Sequence, residues 1–459
     1  MRRLLASVLV LAPPAAAQTR EAWQPPTLTT TRYDEDWSKL ADPAERTGRW
    51  TGPFKYVPIG EDAYVTTGLE LRVRNESYRA NLWGDADAPN DGYQWVRLVP
   101  HADLHVGRVR AFVQPIAAYA VGVAPSAGPI DQTRFDLLQG FADVRLGDAG
   151  TGDVDGTGVT LRAGRQMIAL GTERLVGTRY GPNVPLAFDG FRGLISRGGT
   201  TVSLLAVRPV RPGPGTFDDT RSRTKSLWGA YGTHGGADLY YLGYRNYDAR
   251  YGGHEGRELR HSIGARFSGS AAAWHWNTEG VYQFGRFAGQ RISAWTVAME
   301  GGRRFEDVRW SPDATVRFNV ASGDRRPDDR RLGTFNALFP KGKYFGELSP
   351  VGPYNIVSIN PRVGASFGGN VSGSLATMAY WRFSRRDGLY DIPGNLVRPA
   401  GNATDRFIGS EAEASIDWQA TPELELSASL SAFAPGGFIK QTGSARTILM
   451  LGLEANFRF

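Results

Sequence analysis

Charged side chains recur at every second position in several stretches of this 459-residue chain. In Leu69-Glu-Leu-Arg-Val-Arg-Asn-Glu76, an extended backbone puts Glu70, Arg72, Arg74 and Glu76 on one face and Leu69, Leu71 and Val73 on the other. In Val96 to Val106, Arg97, His101, Asp103 and His105 oppose Val96, Leu98, Ala102, Leu104 and Val106. Glu411, Glu413 and Asp417 likewise oppose Ile408, Ala412, Ala414, Ile416 and Trp418. A wall of guanidinium groups draws anions in, and carboxylates set among them keep binding weak enough for release. The competing reading is that these are wall-bracing ion pairs, each worth little where solvated. His101-Ala-Asp-Leu-His105 offers three polar ligands on one face, as a metal site or hydrolase would. No Ser–His pair or second-strand ligand set accompanies it, so no enzyme activity, metal or cofactor is expected. Asp324, Asp328 and Asp329 resemble a calcium loop, but Arg325, Arg326, Arg330 and Arg331 would neutralise it, leaving a charged exposed loop.

These faces need strands to position them. Alternating segments separated by Gly, Pro and Asp clusters recur from about residue 63 to the end, and about eighteen are expected. A soluble sandwich also has a wet sheet face, so alternation alone does not decide the fold. The number of segments and their terminal aromatics predict an all-β, antiparallel transmembrane barrel of about 18 strands with long extracellular loops. The closing strand is Ile448 to Phe459, apolar outward and ending on an aromatic. Tyr240, Tyr241, Tyr244 and Tyr247, with Trp274, Trp276, Trp295, Trp381 and Trp418, are candidates for the aromatic girdles. Gly171 to Ala187, Pro209 to Arg223, Ala321 to Pro353 and Arg386 to Ala403 exceed ordinary hairpin turns, and such loops are usually functional.

The chain opens with Met1-Arg-Arg, an apolar Leu4 to Ala12 and a small-residue Ala15-Ala16-Ala17, which predicts a signal peptide over 1–17. Residues 18–60 lack a period of two and read as an irregular periplasmic arm or a segment leading into the lumen; 61–459 form the barrel. No apolar run reaches about 18 residues, so no helix is expected to span a bilayer. Export without such a helix implies a soluble secreted protein or an outer-membrane barrel. The chain has no cysteine, so no disulfide holds the fold. Without the leader it carries 51 basic and 46 acidic side chains, and that small excess argues against nucleic acid as a partner. Only six of the 53 basic residues are lysine, so positive charge here is almost wholly guanidinium.

Several short motifs, in order, resemble the alginate export family of outer-membrane proteins. They are Tyr33-Asp-Glu-Asp-Trp37, Asp42-Pro-Ala-Glu-Arg46, Pro53 to Gly60, Gly68 to Arg74, Ala163-Gly-Arg-Gln166, Arg174-Leu-Val-Gly177 and Asn183 to Gly190. Ala321-Ser-Gly-Asp324, Gly333-Thr-Phe-Asn336, Leu338-Phe-Pro-Lys341 and Tyr344-Phe345 follow. The resemblance implies an eighteen-stranded barrel with an arginine-rich constriction that passes an anionic polysaccharide. By family position, Arg72, Arg74, Arg165, Arg174, Arg179 and Arg192 would line it, with Asp189 and Asp324 as counter-charges; Arg97 joins them by strand alternation. Strict alternation from Val159 and Leu161 points Arg165 outward unless Gly164 breaks the register.

Three functions follow: a polysaccharide export channel, a general uptake porin for small solutes, aromatic ones included, and an outer-membrane enzyme dependent on His101. The expected partners are an anionic polysaccharide or small anionic solute, outer-membrane lipid and a periplasmic export protein, around a monomeric barrel.

Overall fold

The computed structural model describes residues 23–46, 48–147, 157–327, 329–348 and 350–459, so the expected signal peptide lies outside the described residues. Eighteen strands of nine residues or more make the wall: β1 Ala63–Arg79, β2 Gly92–Val106, β3 Val109–Val121, β4 Thr133–Leu146, β5 Gly158–Gln166, β6 Phe188–Arg197, β7 Thr200–Arg211, β8 Lys225–His234 and β9 Ala237–Tyr251. They continue as β10 His254–Ala271, β11 Trp274–Phe287, β12 Gln290–Arg304, β13 Asp313–Ala321, β14 Ile356–Gly368, β15 Val371–Arg382, β16 Phe407–Gln419, β17 Leu424–Pro435 and β18 Ile448–Arg458. Each pairs antiparallel with its neighbour, and β18 returns to β1 from Glu70↔Arg458 to Arg79↔Leu449, closing the sheet. Closure leaves no unpaired edge, the condition for crossing a bilayer with strands.

The wall inverts the usual burial rule. On β1, Leu71 is 39% exposed while neighbouring Arg72 is 3% exposed, and Glu70, Arg74 and Glu76 are buried too. Val113, Tyr119, Leu239, Ile263, Trp274, Trp276, Ile416, Trp418 and Leu451 all stand exposed on the outer surface. Such a contiguous apolar surface belongs in lipid.

Three expected outward positions are corrected. Tyr240 and Tyr244 are buried inside, whereas Tyr241 and Tyr247 on the other parity are exposed. Adjacent tyrosines cannot share a face, and Tyr240 turns in to donate to Glu279. Ile408 is fully buried because the β15–β16 register shifts between Tyr380↔Gly409 and Trp381↔Phe407, a bulge that reverses its face.

The two ends differ. One has mostly two-residue turns, such as 198–199, 235–236 and 272–273, and receives the N-terminal arm beside Phe459. The other has the long segments 167–187, 212–224, 322–355 and 383–406. Segment 167–187 and segment 322–355 fold into the barrel and pair with each other: Gly177 N–H donates to Phe339 O at 2.8 Å and Phe339 N–H to Leu175 O at 2.9 Å. Phe188, Tyr244 and Phe339 continue this seam into a buried apolar cluster against the wall.

Candidate functional site

The inward arginines of β1 and β2 are bound to carbonyls and carboxylates, with Arg72 Nε alone among their nitrogens buried without a partner among the described residues. Arg72 donates to the carbonyls of Tyr180, Gly181 and Pro182 at 3.0, 2.9 and 2.8 Å. Arg97 pairs with Glu70 at 2.6 Å, lies 4.2 Å over the Tyr180 ring and reaches the Tyr180 and Pro182 carbonyls at 3.1 Å. Tyr180 completes the unit by donating to Glu70. Together these two guanidinium groups staple segment 167–187 to the wall. Arg74 sits among three carboxylates, Glu76 at 2.5 Å, Glu347 at 2.8 Å and Glu454 at 2.9 Å, and so fixes segment 322–355. Burial opposes ionisation of Glu347, but Lys343 and Arg74 outweigh it and hold the carboxyl at about 2. A buried charge must be paired, and these pairings leave little capacity for a passing anion.

The other expected residues are dispersed. Arg174, in the inward segment, pairs with Glu279 at 3.3 Å and donates to Asn319 Oδ1 at 2.9 Å, bridging to β11 and β13. Arg179 is half-buried with φ +49°, donates to Pro340 O at 3.4 Å, and has its pKa pulled down by burial. Among the described residues no carboxylate lies within 4 Å of it. Arg192 points inward from β6 and donates to Ser203 Oγ at 2.7 Å. Arg165 and Asp189 pair at 2.8 Å, but they share the parity of exposed Leu161 and Phe191, on the outer face. Gly164, at φ +135°, accommodates the close approach of Gly140 O without shifting the β5 register, so alternation holds. Asp324 lies at the rim beside Asp387, whose Oδ2 accepts the Asp324 N–H at 2.8 Å; burial and Asp387 raise its pKa. Asp328 lies outside the described residues.

At the short-turn end the arm enters the barrel. The Tyr33 ring packs edge-on against Phe112 and Phe141 at 5.9 and 5.2 Å, Arg162 stacks on it at 4.2 Å, and its hydroxyl donates to Met167 O at 2.6 Å. Arg110 holds the Tyr33 carbonyl and pairs with Asp103 at 2.5 Å. His101 is buried and stacks on Phe112. The polar face of β2 at this end is thus occupied by the arm and its anchors.

At the long-loop end a cavity of about 1070 Å³ opens between segments 167–187, 212–224 and 383–406 and the ends of β7 to β9. Arg179 contributes to its lining beside Tyr244, Phe339 and Tyr354. Arg211, Arg221, Arg223, Lys225 and Arg250 surround it, against the acids Asp248 and Glu255. Of these, Arg250 pairs with Glu255 at 3.1 Å; no carboxylate among the described residues is within 4 Å of Arg211, Arg221, Arg223 or Lys225. Alternation did not reveal this group, because most of it lies in a loop or at strand ends. The signal available was the run Arg221-Ser-Arg-Thr-Lys225 within a loop already marked as overlong.

The alginate export family model matches residues 63–448. No curated protein sequence matches. Solved structures share the fold at low identity. OccK2 (OpdF) of Pseudomonas aeruginosa in complex with glucuronate is 13% identical, with TM-score 0.57 over 86% of this chain and 98% of that one. OpdK of the same organism with vanillate is 12% identical, with TM-score 0.57 over 86% and 98%. A further structure of OccK2 (OpdF) gives 14%, TM-score 0.59, and 86% and 97%. With its closed eighteen-stranded wall and a family match from the first strand to the start of the last, the chain belongs to the alginate export family of outer-membrane channels.

Proposed function

We propose that this channel passes acidic saccharides, with a uronate-bearing polymer as its cargo and the basic vestibule as the cargo's point of contact. The observation that carries the reading is the cavity at the long-loop end, where Arg211, Arg221, Arg223 and Lys225 have no carboxylate within 4 Å among the described residues. Such clustered charge raises local anion concentration and speeds capture by roughly 10- to 1000-fold at low salt. The family match supports a polyuronate, and the glucuronate found in OccK2 supports recognition of its monomer. The arm and the two inward segments occupy the lumen in this conformation, which we read as the resting state. Opening then requires the arm to leave the β2–β5 wall and segment 322–355 to shift from Arg74.

The test is current through single barrels in planar bilayers. The reading predicts anion preference, block by oligouronates that deepens with chain length, and no block by neutral oligosaccharides of equal size. Block by monomeric glucuronate that does not deepen with length would point instead to a small-solute porin. Equal anion and cation permeability with no uronate block would remove both.

A further inference from the structure

We propose that the outer wall carries a binding band for phosphate-bearing lipid headgroups of the leaflet at the long-loop end. This rests on the membrane placement of the barrel and concerns its outside, away from the channel.

The band comes from register. Ser226 on β8 lies opposite Arg245 on β9, Arg245 opposite Leu259, Leu259 opposite Arg286, and Arg286 opposite Arg291 on β12. Arg291 in turn pairs with Arg331 of the short Arg331–Leu332 strand, and Arg208 falls one residue past the Val207–Leu227 pair. One row around the outside therefore holds Arg208, Arg245, Arg286, Arg291 and Arg331, with Arg257 one step above on β10. All six are exposed, and among the described residues no carboxylate lies within 4 Å of any of the six guanidinium groups; Asp329 accepts only the backbone N–H of Arg331, at 2.6 Å, and Asp189, cross-strand from Arg208, pairs with Arg165.

Directly beneath this row the same face becomes aromatic. Trp228, His261 and Phe284 form the next row, and Tyr241, Tyr282 and Trp295 the one after. Below them stand lipid-facing Leu239 and Phe267, 68% and 59% exposed. Aromatic rings of this kind mark the boundary between hydrocarbon and headgroups, so the arginine row lies at headgroup level. Arg245 lies over Trp228 at 5.8 Å, and Arg257 over Tyr247 at 5.3 Å, which orients both at that boundary.

Charge decides the occupant. Like charges directly opposite in a sheet repel, yet Arg286, Arg291 and Arg331 stand in consecutive cross-strand places with no acid between them. A polyanion bridging neighbouring strands relieves that repulsion, and a phosphate offers a guanidinium the paired oxygens it binds best. The band is one-sided: the outward positions toward this end on β1–β3 are Asn75, Ser77, Gln94 and Val121, with Arg79 the one cation.

The test uses full-length protein in nanodiscs doped with bis-phosphorylated lipid A or with the same lipid stripped of phosphate, with retained lipid counted by native mass spectrometry. Wild type should retain the phosphorylated form selectively. R245Q/R286Q/R291Q should weaken that retention by on the order of 100-fold, from the contribution of three juxtamembrane charges. R303Q/R304Q/R309Q, which removes as many charges at the short-turn end, should retain it as wild type does. Equal retention of both lipids by wild type, or equal loss in both variants, overturns the proposal. Failure of the wild type to insert with either lipid overturns the membrane placement as well.

Discussion

The cations on β1 and β2 and those around the vestibule belong to one lumen and do opposite work. Arg72, Arg74 and Arg97 are buried, and each is surrounded by carbonyls or carboxylates that fix an inward segment. Arg211, Arg221, Arg223 and Lys225 line an open cavity, and among the described residues no carboxylate lies within 4 Å of them. Burial makes the difference, since a desolvated guanidinium persists only when its hydrogen bonds are met, whereas a solvated one remains available. The inward cations are therefore two populations, one holding the inward segments and one exposed in the cavity at the long-loop end.

The strongest break is Arg74→Ala. It leaves Glu76 and Glu454 without their guanidinium and Glu347 with Lys343 alone, a loss of about 3–5 kcal/mol, while Arg223→Ala should stay within about 0.5 kcal/mol. Thermal unfolding in detergent, followed by near-UV circular dichroism, separates the two; equal melting temperatures would erase the distinction drawn here.

Tyr33→Ala comes next. It removes a ring packed against Phe112, Phe141 and Arg162 and weakens arm docking by about 3 kcal/mol. The chain has no cysteine, so a spin label on Ser38→Cys reports the arm cleanly. Its spectrum should sharpen in the Tyr33→Ala background, and an unchanged line shape would mean the arm is held elsewhere. The vestibule pair R221Q/R223Q should leave melting alone and slow oligouronate association by about tenfold at low salt, with little effect at 1 M salt. An undiminished rate would place recognition deeper in the lumen.

A further test is the pH dependence of arm docking. Lys55 is buried against the Trp37 and Phe459 rings, and burial together with Arg32, opposed by Glu35, lowers its pKa to about 7. The docked arm thus holds this proton less tightly than the free arm does. The penalty is full below pH 7 and fades as pH rises toward the ordinary lysine value near 10.4, so docking should tighten across that window. The two rings and the Thr67 carbonyl favour the charged amine and temper the change. The Ser38 label should lose mobility from pH 7 to 10, and Lys55→Met should flatten the response; the opposite slope would contradict it.

Much of the wall was legible. Period-two patterning located the eighteen strands because lipid and lumen impose opposite demands on alternate residues, and it placed Arg165 outward where motif position placed it in the pore. Patterning failed at Ile408, where a bulge reverses the phase, and at Tyr240 and Tyr244, where aromatic character suggested lipid while the inner cluster claimed the rings. It also read the polar face of β1 as wet. A charged strand face looks the same whether water or a folded-in loop covers it.

The amino-acid sequence alone determined where the strands run and which face of each is charged, because alternate residues meet opposite demands, and the number of strands with their terminal aromatics pointed to a closed barrel. Which of the arginines meet water was settled only in three dimensions. Segments 167–187 and 322–355 and the arm come from distant parts of the chain, and only their convergence inside the barrel spends the charges of β1 and β2 on packing while leaving those at the rim free.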